Sequence, residues 1–244
     1  MPAIVEADDD GLYVLKFRGA GQGAKALIAE IIGGELARAM GLPIPELVLM
    51  ELDPDMARTE PDPEIQHLIR ASGGLNLAVD YLPGSITFDP IVDQPEAALS
   101  SAIVWLDALI SNVDRTARNA NMLMWHRKLW LIDHGASLFF HHALLHPAYT
   151  TKSAGQFPQI KDHVLLPLAT ALPETDARLS AWLTRDIIDE ILSAIPDSWL
   201  SVDEQPADPA ERRAAYAEYL LRRLEGPRAF AETAIRVHGE LAAQ

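Results

Sequence analysis

The sequence predicts an α+β protein with a small β-rich N-terminal part and a larger, mainly helical C-terminal part. Three observations carry this. Short alternating apolar runs, punctuated by Gly and Pro, dominate up to about Asp93. Apolar residues at helical spacing dominate after it. Leu and Ala are abundant throughout, while aromatics make up only 7%.

From Ala3 to Phe17 the pattern AIVEADDDGLYVLKF gives two β-prone runs joined by an Asp-Asp-Asp-Gly turn, and Asp-Gly between apolar runs is a strong hairpin signal. Lys16 falls near the end of the second run. The glycine-rich RGAGQGAK (Arg18 to Lys25) follows, and then a helix over AKALIAEIIGGELARAM. Its apolar positions are Leu27, Ile28, Ile31, Ile32 and Leu36, and it stops at Gly41 and Pro43. Pro45 to Leu52 reads as a strand, followed by a polar, proline-containing connection through Glu64. Leu75 to Gly84 reads as another strand, ended by Pro-Gly. EAALSSAIVWLDALI, ending at Ile110, is a long apolar helix. Past it lies SNVDRTARNANMLMWHRKLWLIDHGASL (Ser111 to Leu138): a polar loop, then strands MLMW and LWLI around an HRK turn. Three further helical stretches are expected: Ile160 to Leu172, Leu179 to Ala194, and Pro209 to Ala242 with a break near Gly226-Pro227.

The 244 residues suffice for one large domain or two modest lobes sharing a cleft. The formal net charge of -15 argues against nucleic-acid binding, because phosphates need a Lys/Arg-rich face. With no cysteine, disulfides, thiolate metal sites and cysteine nucleophiles are excluded. MPAIVEADDDG has neither the basic nor the apolar region of a signal peptide, and no apolar run reaches the roughly 18 residues of a membrane span. A cytoplasmic protein with no membrane partner is expected.

The Ser111–Leu138 stretch carries the densest chemistry. Asp114, one of Asn119 and Asn121, and Asp133 are brought by the hairpin toward one end of a small sheet. Hard oxygen donors in that arrangement suit Mg²⁺, which takes carboxylates and carbonyls and keeps places for water and substrate phosphates. Either Asn119 or Asn121 can supply an amide oxygen there. Arg115 and Arg118 are expected to position the loop or to meet acidic groups. His126, His141, His142 and His146 lack carboxylates at metal-motif spacing and read as surface or loop residues.

The order of these features resembles the HipA-like kinases, which have a protein-kinase-like fold, and more distantly the phosphatidylinositol 3- and 4-kinases. The words that carry it are YVLKF, ALIAEIIGGELARAMGLPIPE, LNLAVDYLPG, DRTARN and LIDHGASL, running from Ala3 to Phe140. Asp133-His134-Gly135 stands where many kinases have Asp-Phe-Gly. The resemblance implies a bilobal fold, with an N-lobe at 1–84 and a helical C-lobe at 85–244. It implies that Lys16 grips the nucleotide phosphates and that Glu30 braces Lys16. Glu35 is the competitor for that role; it lies about 140° around the helix from Glu30, so only one of the two can face Lys16. The resemblance further implies a hinge at Asp80, Tyr81 and Leu82 beside the adenine, and Asp114 orienting the acceptor hydroxyl. Asn119, at the family's Asp-x-x-x-x-Asn spacing from Asp114, or Asn121, next to the strand MLMW, would hold Mg²⁺ together with Asp133. ATP and Mg²⁺ are the implied cofactors.

One departure stands out. The turn before Lys16 holds Gly11 and three acids, where a glycine-rich phosphate loop is usual, so the Arg18–Lys25 loop is the alternative phosphate cover. YTTKSAG (Tyr149 to Gly155) sits where an activation segment would run. The expected partners are a nucleotide and an unknown acceptor, a protein Ser/Thr or a small molecule. Relatives often work beside a DNA-binding antitoxin; no helix-turn-helix word is present here, so such a regulator would be a separate protein. The rival readings are a nucleotide-binding pseudokinase, an AMP-transferring enzyme on the same fold, and a non-kinase α+β protein.

Overall fold

The computed structural model describes residues 2–139, 155–201 and 208–243. His141, His142, His146, Tyr149 to Ala154 and most of the acidic run after Asp203 lie outside the described residues. Four strands, β1 (Pro2–Glu6), β2 (Leu12–Lys16), β3 (Leu47–Leu52) and β4 (Gly74–Asp80), form an antiparallel sheet in the order β1-β2-β4-β3. The β1–β2 turn is locked by Asp9, whose Oδ1 accepts from Gly11 N at 2.9 Å and whose Oδ2 accepts from the Tyr13 hydroxyl at 2.7 Å.

Strand alternation splits the sheet into two faces. Leu15 and its cross-strand partner Ala78 join Phe17 and Leu52 in a small outer cluster. Lys16 and its partner Leu77 face the other way, and Leu77 belongs to the main core. Helix α1 (Ala24–Ala39) packs on that inner side and is buried along most of its length. On the outer side lies α2 (Pro63–Ala71), which the sequence reading did not foresee. Its signal is the Asp62-Pro63 pair: the Asp62 carboxylate accepts from Glu64 N and Ile65 N, and Pro63 occupies a position that needs no amide donor.

The second half is built around α3 (Ala97–Ile110), buried without interruption from Ser100 to Ile110. A helix that is apolar on all sides must be central. A three-stranded sheet of β5 (Ile86–Thr87), β6 (Met122–Trp125) and β7 (Lys128–Leu131) follows the order β5-β6-β7. His126 and Arg127 make the two-residue turn with φ of 48° and 63°, the left-handed pair whose twist suits a hairpin. Among the described residues the remaining α-helices are α4 (Leu172–Trp182), α5 (Arg185–Ser193), α6 (Asp197–Leu200), α7 (Pro209–Leu224) and α8 (Ala229–Ala242). Among the described residues no helix is long and apolar enough to cross a membrane.

Two helix expectations are corrected. Ile160 to Leu172 is not a helix but two 3₁₀ turns, Pro158–Asp162 and Leu166–Leu168, because each carries a proline that has no amide to continue an α-helical ladder. Leu179 to Ala194 is two helices; Thr184 starts the second by accepting from Ile187 N through its side chain. The break between α7 and α8 falls at Glu225–Arg228, bracketing Gly226-Pro227.

Candidate active site

Lys16 lies at the end of β2, on the face turned toward α1. Its ammonium contacts Glu30 Oε1 and, at 3.0 Å, Asp133 Oδ1. Glu30 is buried and also accepts two backbone donors: His134 N on Oε2 and Gly135 N on Oε1, each at 2.9 Å. One carboxylate therefore ties β2 to the segment following Asp133. Glu35 points elsewhere and pairs with Arg38 at 3.2 Å.

Charges in this cluster shape one another. Burial pushes the Asp133 carboxyl up, but the Lys16 charge and the hydrogen bonds around the carboxylate together outweigh it and hold the group at about 2. Burial likewise lowers Lys16, yet Glu30 and Asp133 together keep it above the ordinary lysine value. Burial raises Glu30 and Lys16 opposes, leaving it above the ordinary glutamate value. Asp133 adopts φ 58°, a left-handed conformation that Asp tolerates better than most residues. Its side chain is 52% exposed, so it presents an ionised carboxylate to solvent.

The α1 surface is cut back to admit this segment. A Cβ on Gly33 would lie 2.7 Å from His134 Cβ and 2.9 Å from Cγ. Ordinarily Gly→Ala inside a helix stabilises by about 1 kcal/mol. Gly33→Ala is expected instead to destabilise by about 1–3 kcal/mol through overpacking. A fall in urea midpoint would show the clash; a rise would mean that His134 moves aside freely.

The loop after α3 supplies the second cluster. Asp114 Oδ2 accepts from Asn119 Nδ2 at 2.8 Å and from Asn121 Nδ2 at 3.1 Å, so both candidate amides meet on one carboxylate. Asn121 is one rung beyond the Met122–Leu131 pair of β6 and β7; its carbonyl accepts from Ile132 N at 3.0 Å. That sets it directly across from the residue preceding Asp133. Asn119 is exposed and lies two positions farther along the loop.

Beneath the loop lies a network in which Arg115 meets an acid and positions the loop, as its sequence context predicts, while Asp107 and His163 were not foreseen. Asp107, fully buried in α3, accepts from Asn112 Nδ2 at 3.0 Å, Arg115 Nε at 2.5 Å and His163 Nε2 at 2.9 Å. Arg115, only 1% exposed, also donates to the carbonyls of Ala120, Asn121 and Ile132. Leu165 N donates to His163 Nδ1 at 3.0 Å, so that nitrogen carries no proton and Nε2 is the donor to Asp107. Burial pushes the Asp107 carboxyl up, but the Arg115 charge and the His163 hydrogen bond together outweigh it and hold it below the usual carboxylate range. The available signal was one acid inside the apolar run AIVWLDALI, which demands a buried partner. Arg118, by contrast, is exposed.

At the other end of β4, the amides of Asp80 and Tyr81 are engaged by the carbonyls of Glu46 and Leu12, at 2.9 and 3.0 Å. The Leu82 amide has no such partner among the described residues. The Leu82 side chain is buried, and Trp125 Nε1 braces the segment through Pro83 O at 2.9 Å. The acidic β1–β2 turn also lies at this end. The register pairs Glu6 with Leu12 beside the turn and Pro2 with Lys16 at the far end. Four residues of strand, about 13 Å, therefore separate the acids from Lys16, more than a Debye length at physiological salt. The Arg18–Lys25 loop leaves from the Lys16 end and is tied down by Arg18 N to Asn76 Oδ1 at 2.7 Å and Gly19 N to Ser72 Oγ at 3.0 Å.

Among the described residues no group of three or more His, Cys, Asp or Glu side chains forms a metal cage. The donors present are the Asp133 carboxylate and the Oδ1 of Asn121 or Asn119, whose amide nitrogens are engaged by Asp114. Such a set fits Mg²⁺, commonly held by one or two carboxylates with phosphates filling further positions.

A family model described as HipA-like kinase matches residues 1–232. The crystal structure of the Helicobacter pylori proinflammatory kinase CtkA superposes with a TM-score of 0.58 at 11% identity, covering 100% of this chain and 92% of that one. At such low identity the likeness speaks to the fold alone. No curated protein matches the chain. The family match spans nearly the whole sequence and takes in Lys16, Glu30, Asp114 and Asp133, so this chain belongs to the HipA-like kinase family.

Proposed function

We propose that the protein is a bilobal kinase, with lobes at 1–84 and 85–244, that transfers the γ-phosphate of Mg²⁺-ATP to a hydroxyl acceptor of the protein Ser/Thr class in the cytoplasm. The observation that carries this reading is the Lys16 ammonium bridging buried Glu30 and the exposed, ionised Asp133. In this reading Lys16 neutralises charge on the nucleotide phosphates and Glu30 fixes its position. The Leu82 amide donates to the purine, beside Asp80 and Tyr81. Asp133 with Asn121 would hold Mg²⁺, with Asn119 as the alternative amide. The chemistry that Mg²⁺ supplies there is neutralisation of charge on the β- and γ-phosphate oxygens. Asp114 orients the acceptor hydroxyl and takes its proton. Positioning and electrostatics would do most of the catalysis. The distance between the acidic turn and Lys16 removes the main objection to a bound triphosphate.

Thermal unfolding with and without Mg²⁺-ATP tests the site. At 100 times its dissociation constant the nucleotide should add about 2.7 kcal/mol, raising Tm by roughly 5–10 °C. Asp133→Asn should remove that shift. No shift in the parent protein would overturn the nucleotide site. Incubation with α- or γ-labelled ATP then separates the chemistry: γ-label on the acceptor supports a kinase, α-label an AMP transferase, and nucleotide binding without transfer a pseudokinase.

A further inference from the structure

The Asp107 carboxylate reaches both flanks of Asp114. On one side its Oδ1 accepts from Asn112 Nδ2 at 3.0 Å, and Asn112 Oδ1 in turn accepts from the Asp114 amide at 3.1 Å. On the other, its Oδ2 accepts from Arg115, the residue after Asp114. A third donor comes from far along the chain, where His163 Nε2 reaches the same Oδ2 at 2.9 Å. Asn112 and His163 are buried, and the Asp107 side chain has no exposure. Backbone contacts hold the two segments side by side. Thr116 and His163 form an antiparallel bridge, and Val164 N donates to Arg115 O at 3.1 Å.

Arg115 already balances the Asp107 charge, so His163 is not needed to keep that charge buried. What His163 adds is direction. The last torsion of an Asp side chain is soft, and the donors around the carboxylate set its angle. Without the His163 donor, Oδ1 can turn away from Asn112, and the Asp114 amide then loses its fixed acceptor. We infer that, given the role proposed for Asp114, His163 is a positioning residue for it, acting through Asp107 and Asn112. The other ring nitrogen serves its own segment, Nδ1 accepting from Leu165 N at 3.0 Å. The two nitrogens therefore have separable tasks, one toward Asp114 and one local.

Two substitutions divide those tasks. His163→Gln keeps a donor within reach of Asp107, whereas His163→Asn keeps an acceptor for Leu165 N and loses the donor. Both leave the Asp107–Arg115 pair in place. With γ-labelled ATP, His163→Asn should lower kcat roughly ten- to hundred-fold, as small misplacements of a reacting group do, with KM for ATP unchanged. His163→Gln should recover most of that loss. Amide hydrogen exchange followed by NMR reads the same step without turnover: the Asp114 amide should exchange faster in His163→Asn and at the parental rate in His163→Gln. Equal losses in the two variants, a change confined to KM, or parental kcat in His163→Asn would overturn the proposal. Should the parent protein transfer no phosphate, the kinase reading fails, and amide exchange still decides the positioning: a parental Asp114 rate in His163→Asn would overturn it. Should His163→Asn fail to fold, Asn112→Ala cuts the same path one step nearer Asp114, and parental kcat there would overturn it too.

Discussion

Arg115→Met should lower the unfolding free energy by about 3–5 kcal/mol, although Arg115 has no counterpart in a surface ion-pair argument. Exposed ion pairs contribute about 0–1 kcal/mol, whereas removing one member of a buried pair strands the other charge in a medium that cannot solvate it. Asp107 has no exposure at all, and neither does the Arg115 side chain. The substitution also strips a donor from the carbonyls of Ala120, Asn121 and Ile132. In a protein of this size the loss corresponds to roughly 10 °C in Tm. Asp107→Asn should be costly as well, since Arg115 and His163 would then share a neutral acceptor. The double variant Arg115→Met/Asp107→Asn should be less destabilised than the sum of the two singles, because it leaves no uncompensated charge. Urea denaturation of the four proteins gives the cycle. Additive losses, or a single-variant loss under 1 kcal/mol, would mean that water reaches the pair and that it does not hold the loop.

Much of this architecture could be read directly, and the misses have local causes. The convergence of Lys16 and Glu30 follows from two periods: alternation along LYVLK turns Lys16 away from Leu15 and Phe17, and helical spacing puts Glu30 and Gly33 on one side of α1 while Glu35 points toward Arg38. The hairpin was legible because MLMW and LWLI are β-rich and separated by a short polar turn. Asp133 and Asn121 share its open end by register alone. α2 was missed because its apolar residues are few and Pro63 looked like loop punctuation, when a proline after Asp62 is equally a helix start. The false helix at Ile160–Leu172 was the converse error, apolar content outweighing Pro167. The Asp107–His163 contact spans 56 positions and leaves no local trace. An acid in an apolar helix announces that a partner exists without saying where in the chain it lies.

The two carboxylates of the site should separate cleanly under substitution. Asp114→Asn should reduce phosphoryl transfer by roughly 10²–10⁴-fold, the range for losing a positioned general base, while leaving the Mg²⁺-ATP thermal shift in place. Asp133→Asn should abolish transfer and shift together. The geometry motivates the difference: Asp133 is beside Lys16, at 3.0 Å, where nucleotide phosphates would be neutralised. Asp114 is instead held by two amides, at 2.8 and 3.1 Å, on the loop that would meet the acceptor. The same measurements resolve the amide ligand. Asn121 adjoins Asp133 across the hairpin, so Asn121→Ala should behave like Asp133→Asn and lose the shift. Asn119→Ala should behave like a mild form of Asp114→Asn, with the shift kept and the rate lowered, because it removes one of two donors that fix the proposed base Asp114. If Asn119→Ala loses the shift and Asn121→Ala keeps it, the ligand is the one at the Asp-x-x-x-x-Asn spacing, and the loop must close toward Asp133 when nucleotide binds. If Asp114→Asn loses the shift as well, Asp114 takes part in holding the nucleotide or its metal, and the division of labour between the two clusters fails.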